Sequence, residues 1–182
     1  MKHRYLVPFL VLDVYATLMI MGGVLAFTMA PPEANPTTAI VIPGTFAALI
    51  FACAAMVFAG GLPAINKPGL ARLGLNLGTV LALLIALAIA MPANARTKAW
   101  QKHPQALQEW NAALAAGTVQ DQPEAKEAFF DERKAADHDI TYLVYTLWGL
   151  TGLSVLAFGA LLVTRPKRDA WTPDPSPASA AA

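Results

Sequence analysis

The chain is short of charge. Only 14% of its 182 residues are Asp, Glu, Lys or Arg, against about 25% in ordinary soluble domains, and a soluble fold of this size could not cover its apolar faces with so few. The net charge of +1 lacks the basic excess that a nucleic-acid partner requires. A single cysteine, Cys53, rules out an internal disulfide framework; inside an apolar run it behaves as a small apolar residue. The histidines are His3, His103 and His138, and none lies at the centre of an apolar run, so a bis-histidine haem does not fit. The spacing of His138, His103 and a nearby carboxylate matches no zinc or iron pattern. Neither a metal nor another cofactor is expected. Phosphate-binding loops, a Gly-x-Ser-x-Gly elbow and a His-Glu-x-x-His run are all missing.

What is present in quantity is apolar sequence: 56% hydrophobic residues and a mean hydropathy of +0.47. Four runs, 5–29, 39–61, 70–91 and 142–163, each reach the roughly 20 residues that a helix needs to cross hydrocarbon. Only Asp13 places a charge near mid-depth. These runs predict an all-α integral membrane four-helix bundle occupying 1–165. A helical extramembrane segment at 92–141 separates the third and fourth spans. A low-complexity tail at 166–182, with Pro173, Pro175 and Pro177 followed by Ala and Ser, is expected to be disordered. The basic start Lys2, His3 and Arg4 resembles a signal peptide, but the apolar run after it exceeds the usual 7 to 15 residues, contains Asp13 and meets Pro31 just past the small residues. A retained helix is the expectation.

Orientation follows Lys and Arg on short loops. Lys2 and Arg4 precede the first span, Lys67 and Arg72 flank the second turn, and Arg165, Lys167 and Arg168 follow the last span, while 31–38 holds no Lys or Arg. Both termini are therefore expected in the cytoplasm of a cell with an inner membrane. The 92–141 segment, with six basic and eight acidic residues, falls outside.

Small residues mark the predicted contact faces, because membrane helices associate through close packing and polar contacts: Gly22 and Gly23; Ala48, Ala52, Ala55 and Ala59; Gly74 and Gly78; Gly149, Gly152 and Gly159. In the outer segment Pro104, Leu107, Trp110 and Leu114, with Gly117 as a stop, predict a short amphipathic helix. Asp121, Pro123 and Glu124 open a second one carrying Phe129 and Phe130. No breaker separates that helix from Ile140, so one long helix is expected to run on into the last span. Trp100, Trp110 and the two Phe read either as interfacial or packing residues or as pocket walls.

Two locations carry candidate chemistry. A mid-depth carboxylate costs on the order of 2.5–3.5 kcal/mol to insert and marks a functional residue by default, so Asp13 is a candidate for proton or ligand handling; the alternative is that it fixes helix register. Asn76, Thr79 and Arg72 are its candidate partners. The second location is the outer face, where His138 stands between Asp137 and Asp139.

The segment from Gly22-Gly23 through Phe27 to Pro31, the Pro92, Asn94 and Arg96 segment, and the Phe129, Phe130 and His138 arrangement before the last span resemble the anthrone-oxygenase-like and transmembrane-protein-205-like four-helix membrane families. The resemblance implies layout foremost. It also implies an outer mouth where Pro31, Asn94, Arg96 and His138 meet, with Asn94 and Arg96 binding an anionic or carbonyl group and His138 acting as general base. On this basis the chain either binds, transfers or oxidises a hydrophobic small molecule, or serves as a non-catalytic accessory subunit docking a membrane protein partner. Membrane lipid surrounds it in both cases.

Overall fold

The computed structural model describes residues 3–30 and 37–167. The predicted polar break at 31–36, Pro31 included, and the tail from 168 onward lie outside them. Five helices follow in order: α1 (His3–Met29), α2 (Thr37–Gly61), α3 (Pro68–Ala115), α4 (Pro123–Arg133) and α5 (Thr141–Val163). The described residues contain no strand. Parts of α1, α2, α3 and α5 are long and apolar enough to cross a membrane.

These four pack side by side, α1 on α2, α2 on α3 and α3 on α5, with a looser seam between α5 and α1 and little contact across the α1–α3 diagonal. The turn between α2 and α3 lies at the same end as the start of α1 and the end of α5. There Tyr5 meets Gly61, and Asn76 accepts a hydrogen bond from Arg165. The opposite end carries the second half of α3, α4 and the start of α5.

Glycine sets the closest approaches. A Cβ on Gly74 would stand 2.7 Å from the Cys53 carbonyl oxygen and from Met56 Cβ, and one on Gly78 would stand 2.6 Å from a Leu12 methyl. The predicted α3 stripe is therefore a packing face. The stripes expected on the other helices are only partly so. Gly22 packs on Leu150, but Gly149, Gly152 and Gly159 have open space where a side chain would go, and Ala48, Ala52 and Ala55 are exposed. In α2 the buried set is Ala47, Ile50, Cys53, Ala54 and Val57, a neighbouring face of the same helix. Tyr5, Leu12, Tyr15, Met19, Ile50 and Leu75 complete a filled centre.

Two helix boundaries differ from expectation. The third span does not stop before Pro92: α3 continues through Pro92 and Pro104 for 48 residues, about 70 Å at 1.5 Å per residue. Proline costs one backbone hydrogen bond in a helix interior, but Pro92 and Pro104 are exposed, and the Ala, Lys, Gln, Arg and Leu around them are strong helix formers. The single long helix is thus α3 rather than α4 joined to α5. At the end of α4, Lys134 turns left-handed with φ 51° and ψ 40°. The Ala135 N–H then reaches the Phe130 carbonyl, and the Lys134 N–H reaches that of Asp131, a Schellman pair closed without glycine. Gly117, at φ +68°, ends α3 by the same two bonds, from Thr118 to Ala113 and from Gly117 to Leu114. Asp121 is not the N-cap of α4; Gln122 holds that position, without a side-chain bond.

The free half of α3 has its own small core. Trp110 and Phe130 are buried with Ala106 and Ala135, and Trp110 meets Phe129 edge-on at 5.3 Å. Arg133 stacks 3.5 Å above the Phe129 ring while its Nε donates to Glu109 at 2.7 Å. That bond holds the Glu109 carboxyl below its ordinary range. The aromatics of this segment are packing residues.

Candidate functional site

The α1–α5 seam is closed at mid-height and open above it. Tyr15 donates a buried 2.8 Å hydrogen bond to Ser154 Oγ, which donates to the Leu150 carbonyl of its own helix. About two turns further along α1, Gly22 admits Leu150. From Leu18 onward, past that contact, the two antiparallel helices border a groove of about 1220 Å³ running to Met29 on α1 and to Asp139 before α5. It exceeds the roughly 300–1,000 Å³ of ordinary small-molecule pockets. Its α1 wall, from Leu18 to Met29, spans about 17 Å, near half of the ~30 Å hydrocarbon thickness of a bilayer.

Walls and rim differ in chemistry. Leu18, Met21 and Leu25 face Leu150 and Leu153 along the length, with Gly149 leaving a hollow. Polar groups gather at the far end: Thr28, Asp139, Thr141, Tyr142, Tyr145 and Thr146. Among the described residues that line the groove, Asp139 bears the single charge.

The rim is positioned from α3. Trp100 Nε1 donates to Thr141 Oγ1 at 2.8 Å, and that hydroxyl donates to Asp139 Oδ1 at 2.5 Å. The same carboxylate oxygen accepts the Thr141 N–H at 2.8 Å, satisfying one of the orphan donors at the start of α5. The Thr141 hydroxyl, then its N–H, and beyond them the charges of His103 and His138, hold the Asp139 carboxyl below its ordinary value. Two further ties fasten the linker before α5: the Ala136 N–H donates to the Ala99 carbonyl at 3.1 Å, and His103 Nδ1 donates to the Ala136 carbonyl at 2.7 Å. Lower on the seam Trp148 Nε1 donates to Thr97 Oγ1 at 2.9 Å. Trp100 meets Tyr145 edge-on at 6.5 Å.

A second, smaller recess of about 170 Å³ lies on the other side of that linker, lined by Arg96, Glu127, Asp131, Asp137 and His138. His138 Nδ1 donates to Asp137 Oδ1 at 2.6 Å. Arg96 and His138, expected to share a mouth, do share this recess. Asn94 is exposed and lines neither cavity. His138 faces away from the large groove, and the residue that faces into it is the adjacent Asp139.

Asp13 stands apart from both. Leu12 and Ala16 point inward, Tyr15 turns to α5, and Phe9 turns to Phe58 of α2 at 5.3 Å. At 100° per residue Asp13 falls on the Phe9 side, half-buried at the α1–α2 edge. Its expected partners are engaged elsewhere: Asn76 with Arg165 and Thr79 with the Leu75 carbonyl, while Arg72 is exposed. Asp13 lines neither the groove nor the smaller recess. The sequence reading missed Asp139 as a groove residue, and its signal was the Asp139-Ile140-Thr141 spacing, an Asx motif at a helix start.

No protein-family model, curated protein or solved structure matches the chain.

Proposed function

We propose that the chain is a multi-pass protein of the cytoplasmic membrane, a four-helix bundle with both termini inside and the α3–α4 extension outside, and that it binds a hydrophobic small molecule taken from the surrounding bilayer. One observation carries the reading: the α1–α5 groove is apolar along its length, polar at one end, and about one leaflet deep. Such a groove receives an amphiphile sideways, without removing its tail from hydrocarbon. Transfer of that molecule to or from a partner is the activity the open side supports best. Oxidation rests on the likeness to the anthrone-oxygenase-like families alone, since His138 opens into the other recess and supplies no base to the groove.

Purification from native membrane, followed by mass spectrometry of what accompanies the chain, tests this reading. A stoichiometric lipophile that is lost from a Gly149→Leu variant supports it. A stoichiometric protein with no lipophile supports the accessory-subunit alternative, which the filled centre around Leu12, Tyr15 and Met19 also favours.

A further inference from the structure

The groove's two ends constrain the head of its occupant as well as its tail. Resting on the groove reading above, we infer that the ligand is an amphiphile whose polar end is a cationic amine, seated at Asp139 beside Tyr142 and Tyr145.

Charge complementarity is the first reason. Among the described residues lining the groove there is one carboxylate and no Lys or Arg, so an anionic head meets a like charge and has no counter-ion. Arg96 lies in the other recess, with Glu127, Asp131 and Asp137. Geometry is the second. Asp139 Oδ1 is committed to Thr141 by two hydrogen bonds, which fixes the carboxylate at the rim and leaves Oδ2 for a donor from outside. Thr141 has given its own proton to Asp139 and accepts from Trp100, so its hydroxyl is not a free donor for an anionic head. The third is aromatic. Tyr142 and Tyr145 border the same rim, and Tyr145 is 68% exposed. A tyrosine face within about 6 Å of an ammonium stabilises it through the ring quadrupole, and tyrosines at this level are also where a membrane interface is expected.

The test uses the purified full chain in detergent micelles and three probes of equal tail length: a hexadecyl primary amine, hexadecanol and hexadecyl sulfate. The amine should bind about three- to five-fold tighter than the alcohol, the size of one partly exposed charge pair, and the sulfate weakest. Asp139→Asn, which retains an acceptor for the Thr141 N–H, should bring amine and alcohol to equal affinity. Gly149→Leu should abolish binding of all three, and it enters open space, so the fold tolerates it. Equal affinity for the three heads, or an amine preference that survives Asp139→Asn, overturns the inference and leaves the groove intact as a lipophile site. If none of the three binds, or Gly149→Leu changes nothing, the groove reading itself fails.

Discussion

Tyr15 and Ser154, 139 residues apart in sequence, are joined by a buried 2.8 Å hydrogen bond that fixes α1 against α5 at the level where the groove begins. The two partners are not equivalent. Ser154 keeps its bond to the Leu150 carbonyl whatever Tyr15 does, whereas the Tyr15 hydroxyl has Ser154 as its acceptor. Tyr15→Phe should cost about 0.6 kcal/mol, the average for such bonds between membrane helices. Ser154→Ala strands a buried hydroxyl and should cost about 1–3 kcal/mol. Unfolding of the purified variants in mixed micelles measures both, and equal losses would contradict the assignment of donor and acceptor.

Glycines of the same type should respond in opposite directions. Gly74→Ala drives a Cβ into the α2 backbone and should destabilise by about 1–3 kcal/mol. Gly152→Ala meets nothing and should be neutral or stabilising by up to about 1 kcal/mol, the helical preference of Ala over Gly. The same unfolding assay compares them.

The two left-handed caps give a matched pair. Lys134→Gly relieves a strained backbone at φ 51° and should stabilise the α4 segment by about 1 kcal/mol, while Gly117→Ala imposes the same strain on the end of α3 and should cost about as much. Resistance of the α3–α4 extension to limited proteolysis reports the sign of each.

Asp139 should make the start of α5 sensitive to acid. Its folded value lies below the ordinary 3.8, chiefly through the Thr141 hydroxyl, so its contribution is complete above the unfolded value and is lost as pH falls through the folded one. Hydrogen exchange across 141–144, corrected for the intrinsic rate, should rise below about pH 4 in the natural chain. In Asp139→Asn it should stay level over that range.

Topology has a direct check. With Cys53 replaced by Ala, a membrane-impermeant maleimide applied to intact cells should label Gln108→Cys, which is exposed on α3, and should reach Lys167→Cys only after lysis. The reverse pattern would invert the proposed orientation and move the groove rim to the inner leaflet.

The four apolar helices were legible from hydropathy, and Gly74 and Gly78 from spacing. The misread boundaries share one physical cause. Proline is a strong local signal, yet Pro92 and Pro104 interrupt nothing, because both are exposed and the buried Ala93, Ala106 and Trp110 hold the helix against its neighbours. The Lys134 turn carries almost no local signal, since Ala135 and Ala136 are ordinary helix formers; their burial against α3 selects the break. Asp139 was hidden for a similar reason. Its neighbour His138 is the more chemical residue, and only the direction of the linker sends one side chain to the small recess and the next to the groove.

The seam between α3 and α5 is tied at both ends, by Arg165 to Asn76 at one and by Trp148, Trp100 and the Ala136 backbone at the other. These two helices form a braced frame. The groove's other wall, α1, is fastened to that frame at Tyr15 and Gly22 and leans on α2 for the rest of its length. α2 is itself held to α3 at Gly74, so the α1–α5 seam is the loosest of the four. The polar rim, Thr28 apart, sits on α5 and the linker before it, on the frame's side of that seam.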